Sequence, residues 1–212
     1  MIKENVLKIR GNIPGNVTLV AAVKYASSEQ ILELVKAGVL DLGFNTYHQL
    51  KSTKPLLPGN VKIHFIGHLQ TNKARKALEC GISLVQSVDS YKLAGKIDSV
   101  CSELGINQGI LLQVKTDESK SYGIILGEVE NIALKIEKNL SNVKIMGLMT
   151  IPPIADPEEA RKYFSLTKNL FDSLSKKLGR KMEYLSMGMS DDYKAAIEEG
   201  ANMVRIGRAL FQ

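Results

Sequence analysis

The chain has 212 residues, the length of one domain rather than two. Hydrophobic residues make up 44% and charged residues 24%, which excludes a disordered or collagen-like chain and leaves enough apolar mass for a core without disulfide or metal staples. The 28 Lys and Arg exceed the 22 Asp and Glu by 6, an excess spread along the chain, so phosphate-bearing small molecules fit the charge as well as nucleic acid does.

The chain opens with MIKENVLKIR, which lacks the apolar run of a signal peptide, and no later stretch approaches the roughly 18 apolar residues of a membrane span. A soluble cytoplasmic protein is expected. Met1 to Gly15 leaves room for about two turns of helix. Short apolar runs then recur: Thr18 to Lys24, Leu40 to Gly43, Lys62 to Ile66, Ser83 to Val88, Gly109 to Val114, Lys144 to Met149, Met182 to Ser186 and Asn202 to Ile206. Most are rich in Val, Ile or Leu, as strands buried on both faces are. Helical patterns lie between them. Ser28 to Ala37 stops at Gly38, and Asp156 to Leu178 carries an N-cap at Asp156, Pro157 in first position, Glu159 to complete a capping box and Gly179 as its end. Phe164, Leu170, Phe171, Leu174 and Leu178 recur there at helical spacing.

Strands alternating with helices predict a parallel sheet, and these repeats at this length predict a single-domain (β/α)8 barrel over residues 1–212; a doubly wound open sheet is the competing arrangement. The barrel demands that chemistry gather where strands end. Lys24 closes the first strand run, where partial desolvation would favour a nucleophilic amine. Asn45 follows the second run, and its amide is a ligand candidate. His64 lies inside the third run and reads as a core histidine, whereas His68 lies in the loop beyond. Asp117 to Lys120 reads as a solvated loop. Leu185 to Asp192 (LSMGMSDD) leads into a helix beginning near Ser190, with Gly188 allowing a ligand close to the backbone. Arg205, Gly207 and Arg208 end the last strand, and loops after the last two strands of a barrel often hold phosphate. A strand-end lysine facing a phosphate pocket suits a phosphate-bearing aldehyde, either pyridoxal phosphate or the sugar phosphate of a Schiff-base aldolase. Cys80 and Cys101 form no CxxC pair and no metal spacing is readable. With no basic run, 6% aromatic residues and no Trp, nucleic-acid binding has little to rest on.

LVAAVKYAS around Lys24, HFIGHLQTNK from His64, GLMTIPP from Gly147, LSMGMSDD from Leu185 and VRIGRALF from Val204 together resemble the YggS/PROSC family of pyridoxal-phosphate homeostasis proteins, across nearly the whole chain and in order. The resemblance implies the alanine-racemase-like barrel of fold-type III without that enzyme's second β-domain. It implies pyridoxal 5'-phosphate held as a Schiff base on Lys24, with Ser190 and the backbone amides of Gly207 and Arg208 on the phosphate. Arg205 would face the pyridine nitrogen, and Asn45 and Met187 would line the pocket. The implied role is a monomeric carrier or regulator of the cofactor, serving pyridoxal-phosphate-dependent apo-enzymes, with no established turnover. An amino-acid racemase is the enzymatic alternative; it needs a second base, for which Tyr47 or Tyr122 would have to stand in. The chain departs from the family in three places. Phe44 and Thr46 replace an acid and a tyrosine, the lysine-to-glycine spacing from Lys120 to Gly123 is one longer, and the leading helix is short enough to leave one end of the barrel less covered.

Overall fold

The computed structural model describes residues 1–116, 121–153 and 156–212. Its strands are β1 (Thr18–Ala22), β2 (Asp41–Phe44), β3 (Lys62–Phe65), β4 (Leu84–Val88), β5 (Gln108–Lys115), β6 (Ile124–Ile125), β7 (Val143–Thr150), β8 (Tyr184–Ser186) and β9 (Met203–Ile206). The helices are α1 (Ile2–Gly11), α2 (Ser28–Lys36), α3 (Tyr47–Thr53), α4 (Ala74–Leu78), α5 (Tyr91–Leu104), α6 (Val129–Asn139), α7 (Pro157–Lys177), α8 (Tyr193–Glu198) and α9 (Arg208–Phe211). The sheet order is β4-β3-β2-β1-β9-β8-β7-β5-β6, and an additional β4–β5 pairing joins its ends. Every pairing is parallel. The sheet is therefore a closed ring of eight strands, with the two-residue β6 standing outside it on the last residues of β5. Closure settles the choice against an open sheet.

Alternation along each strand sorts side chains between two cores. In β1, Val20 points inward, while Leu19 and Ala21 face the helices. Val20, Leu84, Leu111, Met149 and Met203 fill the barrel, and the much larger outer cluster lies between sheet and helices. Each fully buried Leu or Phe in that shell contributes roughly 1.5–3 kcal/mol, so the shell carries most of the folding free energy.

Helix boundaries follow their caps. Ser27 and Gln30 close a reciprocal capping box ahead of α2, which stops before Gly38. At α7, Asp156 accepts from the backbone N–H of both Glu158 and Glu159, at 2.9 and 3.0 Å, so the carboxylate makes the cap without the return bond expected from Glu159. Phe164, Phe171 and Leu174 are buried as predicted, whereas Leu170 and Leu178 are only partly covered. The leading helix α1 has ten residues, nearly a turn more than its segment suggested, and packs beside α2 and α9 on the flank of the barrel. The acidic segment from Asp117 to Lys120, with its family spacing, lies outside the described residues.

Candidate functional site

The carboxyl ends of the strands gather the predicted residues at one mouth. Here β1 ends at Ala22, two residues before Lys24, so Lys24 stands in the turn beyond the strand. It is exposed, with Nζ 5.0 Å from the centroid of the Tyr25 ring. The desolvation expected from its strand neighbours is absent, and any must come from what binds above it. That turn is fastened by Gln49, whose side-chain amide donates to the carbonyl of Val23 at 2.6 Å. Sequence reasoning passed over Gln49, although it lies in the same segment as Asn45.

The next strand end resolves the family departures. Phe44 is fully buried in the helix-facing shell, and Thr46 caps α3 by accepting from the Gln49 N–H at 3.3 Å. Phe44 is therefore turned away from the mouth, whereas Thr46 also borders a cavity shared with Asn45 and His68. Between Phe44 and Thr46, Asn45 holds a buried Oδ1 with no hydrogen-bond partner among the described residues. A buried acceptor left unpaired costs about 1–3 kcal/mol, which marks the atom as waiting for a donor. Asn45 is held by close backbone packing: a Cβ on Gly67 would stand 2.1 Å from its carbonyl oxygen.

The segments after β8 and β9 meet each other. Arg205 N–H donates to the carbonyl of Gly188 at 3.0 Å, and Ala209 N–H donates to Ser190 Oγ at 3.4 Å. Ser190 is thus directed at the Gly207–Arg208 turn, as a shared anion pocket requires. The helix, however, begins at Tyr193 and not at Ser190, because Asp192 takes the N–H of Met189 at 2.6 Å and holds an intervening turn. Asp191 pairs with Arg208, so both acids are already engaged. Gly188 has φ +94°, and a Cβ there would meet Ala196 at 2.6 Å. That glycine is needed for packing on α8. Met187, expected to line the pocket, is instead fully buried in the outer shell.

Arg205 points into the barrel and is 4% exposed. It donates from Nη1 to Ser186 Oγ at 2.7 Å and from Nη2 to the carbonyl of Thr150 at 2.8 Å. Burial lowers its pKa to about 10, opposed by Asp192, so it remains a cation at neutral pH. Among the described residues no carboxylate pairs with it.

His64 is buried as expected, bonded to Asp41 and Gln86 at 2.9 Å each. His68 lies at the mouth, 3.2 Å from Asp89 and stacked on Tyr122 with ring centroids 3.9 Å apart. Tyr122, a candidate second base, is thereby tied to His68, and Tyr47 lies edge-on to His48 at 5.7 Å. A cavity of about 190 Å³ is lined by Ala22, Lys24, Gln30, Gly207 and Arg208, among others. A larger one of about 460 Å³ opens at the opposite mouth, far from this chemistry, so size alone does not locate the site. No group of His, Cys, Asp and Glu able to hold a metal occurs among the described residues. None of the described helices is long and apolar enough to cross a membrane. The arrangement offers an amine for an aldehyde, a donor-only cation for an aromatic nitrogen, a hydroxyl with turn amides for a phosphate, and an acceptor awaiting a donor.

The sequence matches the family described as "Alanine racemase, N-terminal domain" over residues 1–212. It is 39% identical over 197 residues to the pyridoxal phosphate homeostasis protein of Aquifex aeolicus, covering 91% of this chain and 85% of that one. With the protein of the same name from Helicobacter pylori it shares 40% over 200 residues, covering 92% and 87%. Among solved structures it is similar to PipY of Synechococcus elongatus with pyridoxal phosphate bound, at TM-score 0.92 and 32% identity over the whole of both chains. Alanine racemase of Clostridium difficile, at TM-score 0.78 and 18% identity over 99% of this chain and 55% of that one, shares the fold.

Proposed function

The chain belongs to the alanine racemase N-terminal domain family and, within it, to the pyridoxal phosphate homeostasis proteins, and on that premise we propose that it binds pyridoxal 5'-phosphate at the carboxyl-terminal mouth of its barrel and acts in cofactor homeostasis. The observation that carries this reading is the pairing of opposite deficits at one mouth. Arg205 is a buried cation without a carboxylate, and Asn45 Oδ1 is a buried acceptor without a donor, among the described residues. When bound, pyridoxal phosphate supplies an aldehyde that condenses reversibly with an amine. Lys24 is the amine assigned to that Schiff base. Ser190 with the amides of Gly207 and Arg208 would hold the phosphate, and Asn45 would accept from the ring hydroxyl. Arg205 would donate to the ring nitrogen and keep it unprotonated, which weakens the ring as an electron sink and favours holding over turnover. Delivery to apo-enzymes, a monomeric state and a cytoplasmic location complete the proposal.

The test is the visible absorbance of the purified protein with added pyridoxal phosphate, before and after borohydride, followed by peptide mapping. A yellow band fixed by reduction onto Lys24 supports the assignment. The same band in Lys24→Ala would refute the lysine, and a protein that takes up no cofactor would refute the ligand.

A further inference from the structure

Arg205 does not end its hydrogen bonds at Ser186. Ser186 Oγ donates to Gln86 Oε1 at 2.7 Å, Gln86 Nε2 meets His64 Nδ1 at 2.9 Å, and His64 Nε2 meets Asp41 Oδ1 at 2.9 Å. Arg205, Ser186, Gln86 and His64 are all between 0% and 4% exposed, inside a barrel otherwise filled by Val20, Leu84, Leu111, Met149 and Met203. The chain therefore crosses the barrel from β9 and β8 through β4 and β3 to β2, ending in the cavity of about 460 Å³ at the amino-terminal mouth.

Its direction follows from its first bonds: Arg205 donates to Ser186, and the Ser186 hydroxyl donates to the Gln86 carbonyl. The Gln86 amide then donates to His64 Nδ1, which puts the imidazole proton on Nε2, facing Asp41. A donor-only cation stands at one end and an acceptor-only carboxylate at the other, and bonds aligned this way strengthen one another. Asp41 thus ends, through three intervening side chains, the hydrogen-bond chain that begins at Arg205, while Asp192 is the carboxylate whose charge acts on Arg205 directly.

Resting on the reading of Arg205 as the residue facing the ring nitrogen, we propose that Asp41, His64 and Gln86 are positioning residues for the cofactor site, holding the Arg205 guanidinium in place from the opposite mouth. Besides Asp41, the titratable groups lining the cavity beneath His64 are Lys62, Lys144 and Tyr184.

The experiment has an arm that needs no cofactor. Nitrogen NMR of the His64 ring in the ligand-free full chain is expected to show the Nε2–H tautomer at neutral pH, and its signals are expected to move in Arg205→Lys. A proton on Nδ1 overturns the proposal even if the protein takes up no pyridoxal phosphate. The loaded protein gives the second arm. Gln86→Leu is expected to weaken cofactor retention about tenfold, as loss of a supporting partner behind a ligand does. It should also shift the midpoint of the pH titration of the visible band. The near-isosteric Gln86→Glu brings a carboxylate within one hydroxyl of Arg205 and should shift that midpoint the other way, which a merely structural role would not do. Met203→Leu removes only the 3.2 Å contact of the same amide with the Met203 sulfur, and should leave retention and midpoint unchanged. If the wild type binds cofactor and both Gln86 variants match it, or if Met203→Leu shifts the midpoint as far as Gln86→Leu, the relay is refuted and the cofactor reading stands.

Discussion

The two mouths of the barrel are made by the same eight strands, yet they meet water in different ways. At the amino-terminal mouth the polar groups answer one another. His64 is bonded on both ring nitrogens, Asp41 accepts from it, Lys144 is 3.7 Å from Glu183, and Lys62 stands exposed. At the carboxyl-terminal mouth they do not, for Asn45 Oδ1 lacks a donor and Arg205 lacks a carboxylate among the described residues. The satisfied mouth holds a cavity of about 460 Å³, whereas the other divides its space among cavities of about 190, 270 and 170 Å³. Unmet hydrogen-bonding capacity, held in place by packing, marks the binding mouth better than volume does.

The sharpest way to break that contrast is to remove one lysine from each mouth. Lys24→Ala is expected to abolish the borohydride-fixable band, while Lys62→Ala at the opposite mouth leaves it intact. A band lost equally in both would mean that the contrast carries no functional information. Arg205→Met comes next. A buried cation without a carboxylate pays heavily for desolvation, and replacing such a charge by an apolar side chain of similar size is often neutral for stability. The carbonyl of Thr150 and the hydroxyl of Ser186 lose a donor in exchange, at about 1–3 kcal/mol for a buried group left unpaired. These oppose each other, so melting should move by only a few degrees while cofactor retention falls about tenfold or more. Measured together by thermal denaturation and dialysis, a large melting shift with unchanged retention would make Arg205 a structural residue.

The same contrast explains what was legible in the sequence. Strand runs and helix caps are local, so the apolar run from Thr18 to Lys24, or the Asp156 cap, could be read directly and led to the barrel. Ser190 and Gly207 could be brought together because barrel topology sets neighbouring strand ends side by side. Facing was harder to read. Met187 looks like a pocket residue until the register of β8 turns Ser186 inward and Met187 into the shell. Gly188 reads as a ligand glycine, and its packing against α8 emerges only in the fold. Phe44 looks like a loss to the pocket until it is placed among the helices. The link from Gln86 to Ser186 joins residues 100 apart, and no local pattern announces it.

The smallest effects separate the two kinds of residue at the carboxyl-terminal mouth. Met187→Leu conserves volume within the shell, so it should cost less than about 1.5 kcal/mol and leave cofactor retention unchanged. Asn45→Leu should do the reverse. In the ligand-free protein the unpaired Oδ1 contributes only its desolvation penalty, and an apolar side chain of similar size removes it, so the melting temperature should hold or rise slightly. In the loaded protein the same substitution deletes the acceptor assigned to the ring hydroxyl. Retention should then fall by about the value of one hydrogen bond, roughly 0.5–1.5 kcal/mol, or up to about tenfold. Gain in the empty state with loss in the loaded one is the signature of a group kept unsatisfied for a ligand. If Asn45→Leu lowers stability and leaves retention alone, the unpaired oxygen belongs to the packing of Gly67, and the contrast between the mouths rests on Lys24 and Arg205.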